Sequence, residues 1–363
     1  MYSQTDLDEA VAAGALSADA ANALRNFVAG QNAMPAVDEE HFRLLTGFND
    51  IFVSIAAVML MSAVGFIGQL IGPQVEQNGP SPLAGAAVAA TAWGLALFFT
   101  AKRRMALPSI ILLLAFVGGV LFASGAGIAM IVGPERFENS PQMAGTLGAI
   151  SAAIAAAAAW LHWKRFRVPI TVAAGAAAVA GIAMGALVAV LGDVANMKEI
   201  VLGFMLLLGL GIFLVAMRWD SSDPARVTRR SDVAFWLHLL AAPMIVHPIF
   251  SLLGLTNGGG SIGSAVVVIL LYVALGVTAL AIDRRALLVS ALAYVLWALS
   301  NLFERFGAVQ FNIALTALVI GSALLLLSAF WHQARAAIVR PLPESLRARL
   351  PLVAESVSPQ PAA

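Results

Sequence analysis

Runs of about twenty apolar residues, the helix length that crosses a bilayer core, alternate along this chain with short polar breaks. They fall near residues 50–72, 82–101, 105–133, 141–162, 168–192, 198–218, 233–255, 262–282, 286–304 and 310–331. The pattern predicts an all-α fold: a polytopic transmembrane helix bundle of ten spans. The third window is long enough for a tilt or a re-entrant turn, with "ASGAGIAMIVGP" as its irregular end. The fourth, "GAISAAIAAAAAWLHW", is so rich in alanine that a place inside the bundle is expected of it.

The flanks follow a different rule. In residues 1–48, "TDLDEAVAAG" reads as a short helix capped by Thr5, with acids in its first turn and Gly14 at its end. "LSADAANALRNFVAG" repeats that grammar from Ser17 to Gly30, so that Leu7 and Val11 can meet Leu24, Phe27 and Val28. A cytoplasmic helical hairpin over 1–48 is expected, too small to be stable alone, in front of a transmembrane domain over 49–332. Residues 333–363 read as a basic interfacial segment ending in a disordered tail.

Composition agrees and narrows the field. Of 363 residues, 60% are hydrophobic and 11% charged, with a mean hydropathy of +0.89. A water-soluble domain carries roughly 25% charged residues; here the lipid bilayer is the expected solvent and partner. The formal net charge of +1 gives no basis for a nucleic-acid partner. The absence of cysteine excludes disulfides, thiolate catalysis and Cys-ligated metals. Residues 1–40 contain one basic residue, Arg25, and lack the pattern of a cleaved signal peptide.

Charge placement sets the expected topology. Eighteen of the 21 lysines and arginines fall on alternate boundaries, in clusters such as "KRR" at 102–104 and "KRFR" at 164–167. The opposite boundaries hold only Arg136, Lys198 and Arg305. The positive-inside rule then puts both termini in the cytoplasm, with the bacterial inner membrane as the expected location. "KRRMALPSI" and "KRFRVPITV" also share a basic turn followed by a proline, a hint of internal repetition that the orientation rule alone would also produce.

Candidate chemistry is sparse. No acidic or basic residue falls deep in a window; Asp50, Asp193, Glu199 and Glu304 stand at boundaries. That argues against an ion- or proton-coupled carrier built on a buried carboxylate. No nucleophile elbow, zinc-protease helix or P-loop occurs, so an enzyme ranks third behind the non-catalytic readings, and no cofactor or metal is expected.

The exception is "AFWLHLLAAPMIVHPIF" at 234–250. His238 and His247 are nine positions apart, about 900° of rotation and about 13 Å of rise, so they face opposite ways. His238 is expected to reach interfacial water. His247 lies beyond the midplane, between Pro243 and Pro248. Each proline leaves a carbonyl without its helical donor, that of Leu239 and of Met244 respectively. His247 could satisfy Met244 as a structural patch, or the broken turn and imidazole could line a polar pocket; a metal or haem ligand is the third reading. Tyr272 and Tyr294 are the candidate companions of such a pocket, with Trp93 and Trp297 set in from the boundaries. Ala177, Gly181, Gly185 and Ala189 recur every four residues and read as a close-packing face.

"LDEAVAAGALSADAANAL" followed by the spans, and more loosely "FWLHLLAAPMIVH", resembles uncharacterised bacterial polytopic membrane proteins that begin with a hairpin domain of unknown function. The resemblance implies an inner-membrane protein and no activity. Two functions remain open. One is a carrier or exporter of an uncharged or amphipathic small molecule, with the kink beside His247 on its path. The other is a non-transporting scaffold or regulator, using residues 1–48 to bind a cytoplasmic partner and the basic tail to bind lipid.

Overall fold

A computed structural model describes residues 11–14, 16–24, 48–76, 78–223, 228–254, 262–285, isolated positions between 288 and 300, 312–347 and 350. Among these, regular structure is helical throughout. The chain divides into two units, Met1–Phe42 with Leu352–Ala363, and Arg43–Pro351. In the first, Gly14 takes φ +70°, and the Ala20 amide donates to Ser17 Oγ at 3.1 Å. Thr5, Leu7, Phe27, Val28 and Gly30 lie outside the described residues.

The second unit is a bundle. Its long helices are α1 (Phe48–Ile71), α2 (Pro82–Phe99), α3 (Ala106–Val132), α5 (Pro141–Phe166), α6 (Ile170–Leu191), α7 (Met197–Ser221), α8 (Arg229–Leu252), α9 (Ile262–Ile282) and α10 (Asn312–Ala329). Short helices α4 (Pro134–Glu138), α11 (Trp331–Val339) and α12 (Glu344–Arg347) are also described. Seven of the described helices are long and apolar enough to cross a membrane, or eight if α10 and α11 count as one broken span. Large apolar side chains such as Phe52, Leu214 and Leu325 face outward, as a lipid solvent permits and water does not.

Local chemistry starts and stops these helices. Ser81 accepts from the Leu83 amide and Ser140 from the Met143 amide, each followed by a proline at the first helical position. Thr228 caps α8 through the Arg230 amide, and its own amide and hydroxyl donate to Asp223. Two corrections to the sequence reading follow. "ASGAGIAMIV" is no re-entrant end: α3 runs unbroken to Val132 and stops at Gly133, φ +89°. The alanine-rich α5 is two-faced, with Ala152, Ala155 and Ala159 buried but Ile150, Ile154 and Trp160 exposed. At the end of the last window α11 turns away from α10 by 72°. The window at 286–304 lies mostly outside the described residues, although Leu288 and Val295 pack into the α8–α9 core.

Glycine permits the closest approaches. A Cβ on Gly145 would meet the Gly185 carbonyl at 2.6 Å, and one on Gly185 would meet the Gly145 carbonyl at 2.7 Å. Gly85 of α2 and Gly119 of α3 stand in the same reciprocal relation, at 2.5 and 2.7 Å. Two hairpins joined by basic turns thus cross backbone to backbone, which maximises dispersion where lipid supplies no hydrophobic drive between helices. In α7, a Cβ on Gly209 would lie 2.9 Å from the Met244 side chain and 3.0 Å from the carbonyl that Pro248 leaves without a helical donor.

Candidate functional site

The inward stripe of α7 reads Leu202, Gly209, Ala216, Asp220. That of α8 reads Ala234, His238, Ala241, Ala242, Ile245. Small residues on both faces draw the two helices together, and Asp220 and His238 come to rest inside the contact. The third member arrives from α9. Asp283, at φ +56°, stops that helix, and the Arg284 amide donates back to the Ala279 carbonyl at 2.9 Å. This tight turn sends the guanidinium inward rather than toward water.

A buried network results. Arg284 Nε donates to Asp220 Oδ2 at 3.1 Å, and Arg284 Nη2 donates to Asp220 Oδ1, closing a two-pronged pair. His238 Nε2 lies 3.0 Å from the same Oδ2, and Arg284 Nη2 also donates to the Ser231 carbonyl at 3.2 Å. Asp220, His238 and Arg284 are all at or below 3% exposed. Phe213 meets the His238 ring edge-on at 5.2 Å. A second layer adjoins it: Trp331 Nε1 donates to Asp283 Oδ1 at 2.7 Å, and Arg335 Nε stands 3.8 Å from that oxygen. The Arg285 guanidinium lies 4.7 Å from the centre of the Trp331 ring. The ends of α7, α9 and α10 and the first turns of α8 and α11 therefore meet at one place.

Removing a carboxylate and a guanidinium from water is worth several kcal/mol against each, and only close pairing offsets it. The geometry does this for Asp220, whose oxygens both face cations or N–H donors. With His238 neutral, its Nε2–H donating, the Asp220–Arg284 pair closes with no net charge.

A smaller polar centre lies between α5 and α6. His162 Nδ1 is 3.2 Å from Thr171 Oγ1, and Phe166, Phe116 and Trp93 surround the ring at centroid distances of 4.6, 5.9 and 6.2 Å. No metal-holding group of three or more His, Asp or Glu side chains occurs among the described residues.

Among the described residues singled out from sequence, Pro243 and His247 face away from Pro248 and Tyr272. α8 runs continuously through both prolines. Pro248 is buried, whereas Pro243 and His247 are exposed, opposite to His238, as nine residues of helix dictate. Tyr272 does face α8, packing against the cores that contain Ala242, Val246 and Phe250. Its buried hydroxyl has no hydrogen-bond partner among the described residues. Tyr294 and Trp297 lie outside the described residues.

Sequence reasoning missed Asp220 and Arg284 and read His238 as interfacial. A charge at the edge of an apolar window looks water-facing until a neighbouring helix end covers it. The available signals were small residues on the inward faces, Gly209 and Ala216 before Asp220 and Ala234 before His238; Arg284 carried none.

No protein-family description, curated protein or solved structure matches this chain. The site's own chemistry has to carry the functional argument.

Proposed function

We propose that this is a ten-span inner-membrane carrier or exporter of an uncharged or amphipathic small molecule, with both termini cytoplasmic. In this reading the Asp220–His238–Arg284 network is the latch that closes its inner end. The single observation that carries the reading is the buried charge. Well-packed apolar residues hold helix ends together at least as firmly as an ion pair does, and a buried pair is best suited to contacts that must be made in one register and remade. The network joins separate helices where a carrier has to open.

Two further observations support it. Asp220, Arg284 and Trp331 meet although α8, α9, the segment at 286–311 and α10 separate them in sequence. That meeting is what alternate crossings of the bilayer require. On the inner side of α8, the Tyr272 hydroxyl, without a partner among the described residues, stands in an apolar setting, fit for one hydrogen bond to an otherwise apolar substrate. The path proposed here follows Ala242, Pro248 and Tyr272, with Tyr294 as a further candidate, rather than the outer face that carries Pro243 and His247.

The natural lack of cysteine makes a direct test simple. Ala242 is fully buried, one helical turn from His238. An Ala242→Cys chain in inside-out vesicles would be treated with a membrane-impermeant maleimide, with and without Arg284→Gln. Slow labelling that accelerates at least tenfold when the latch is cut is the expected result. Labelling equally absent in both, in protein that still melts cooperatively, would sink the carrier reading and leave the scaffold alternative.

A further inference from the structure

The turns "KRR" and "KRFR" lie outside the latch. Trp93 of α2 packs against Phe166, the last residue of α5, at 5.1 Å, which ties both turns to one end of the bundle. Lys102, Arg103, Arg104, Lys164, Arg165 and Arg167 are all exposed there; Arg167 ends α5 in the left-handed conformation, and Arg104 takes positive φ in the turn that leads into α3.

Several of these cations do not extend freely. Lys164 Nζ sits 3.9 Å from the centre of the Trp160 ring, Arg167 5.7 Å from that of Trp163, and Arg103 5.5 Å from that of Phe98. Each ring lies within the last two turns of an apolar helix, and Trp160 itself is more than half exposed. An outward-facing indole at such a position lies at headgroup depth. Stacking therefore holds the cations back at the level of lipid phosphates, with the rings beneath them facing acyl chains. A soluble anion would meet these cations only from the water side; a phospholipid would meet cation and ring together.

We infer that the "KRFR" turn forms a binding surface for anionic phospholipid, with the phosphodiester on its cations and the chains against Trp160. The acidic residues nearest in sequence, Glu76, Glu135, Glu138 and Asp193, fall beyond the opposite ends of the hairpins, so α2, α3, α5 and α6 themselves carry no carboxylate to compete for the cations.

The test uses the full chain in phosphatidylcholine vesicles containing acyl-brominated phosphatidylglycerol or, in parallel, acyl-brominated phosphatidylcholine, with tryptophan fluorescence as readout. Half-maximal quenching is expected at a phosphatidylglycerol fraction at least about fivefold lower, the enrichment that one basic residue at the surface provides. Lys164→Gln/Arg165→Gln/Arg167→Gln should abolish the preference, while Lys164→Arg/Arg165→Lys/Arg167→Lys keeps it. Equal quenching by the two lipids in the wild type would overturn the inference without recourse to any variant. So would a preference that survives the neutral substitutions, or one that millimolar inorganic phosphate removes, since a site for lone phosphate is a different site.

Discussion

Asp220 and Arg284 stand 64 positions apart in the chain and meet as a two-pronged ion pair, both at or below 3% exposed. Neither has a helical reason to be near the other. The pair exists because α7 ends, and α9 stops at Asp283, at the same level of the bundle.

Breaking this pair one side at a time should be far worse than removing it whole. Asp220→Ala leaves a buried guanidinium and should lower stability by about 3–5 kcal/mol. Asp220→Leu/Arg284→Leu should recover more than half of that loss. Detergent-solubilised thermal melts check it; a double variant no better than Asp220→Ala would show that His238 and Ser231 need the charges in place.

The two histidines of α8 should behave unlike each other. His238→Ala empties a fully buried site between Phe213 and Asp220, and a clear drop in melting temperature is expected. His247 faces outward, and His247→Ala should shift the melt by much less. Equal shifts would mean that the outer face of α8 is as tightly built as the inner one.

Glycines on α5 should divide by position. Gly145→Ala drives a methyl into the α6 backbone and should destabilise by about 1–3 kcal/mol. Gly148, on the same helix, has nothing within 4 Å of an added Cβ. Gly148→Ala should stabilise by roughly 0.5–1 kcal/mol through the helix backbone alone. Melts of the two single variants decide it, and a destabilising Gly148→Ala would place a neighbour against that face.

Helix α11 should depend on one hydrogen bond. Trp331→Phe keeps a ring in the core but removes the N–H that reaches Asp283, a bond to a charged group worth about 1.5–3 kcal/mol. Tryptic cleavage after Arg335, buried within α11, should accelerate correspondingly. Unchanged cleavage would mean that Val339 and Arg335 hold the helix without it.

The sequence by itself determined the elements: apolar length, Ser and Thr caps, prolines at first helical positions and left-handed stops all act within a few residues of chain. Helix ends such as Val132 and Leu191 were therefore legible within a residue or two, and so was the close-packing stripe through Gly181 and Gly185. Opposite faces for His238 and His247 followed from helical rotation alone. Only the tertiary structure decided which face was inside. Asp220, His238 and Arg284 sit where helix ends from distant parts of the chain converge, and whether a boundary charge meets water or another charge depends on those neighbours. Covering a charge is a property of packing between helices, and hydropathy along one helix carries no record of it.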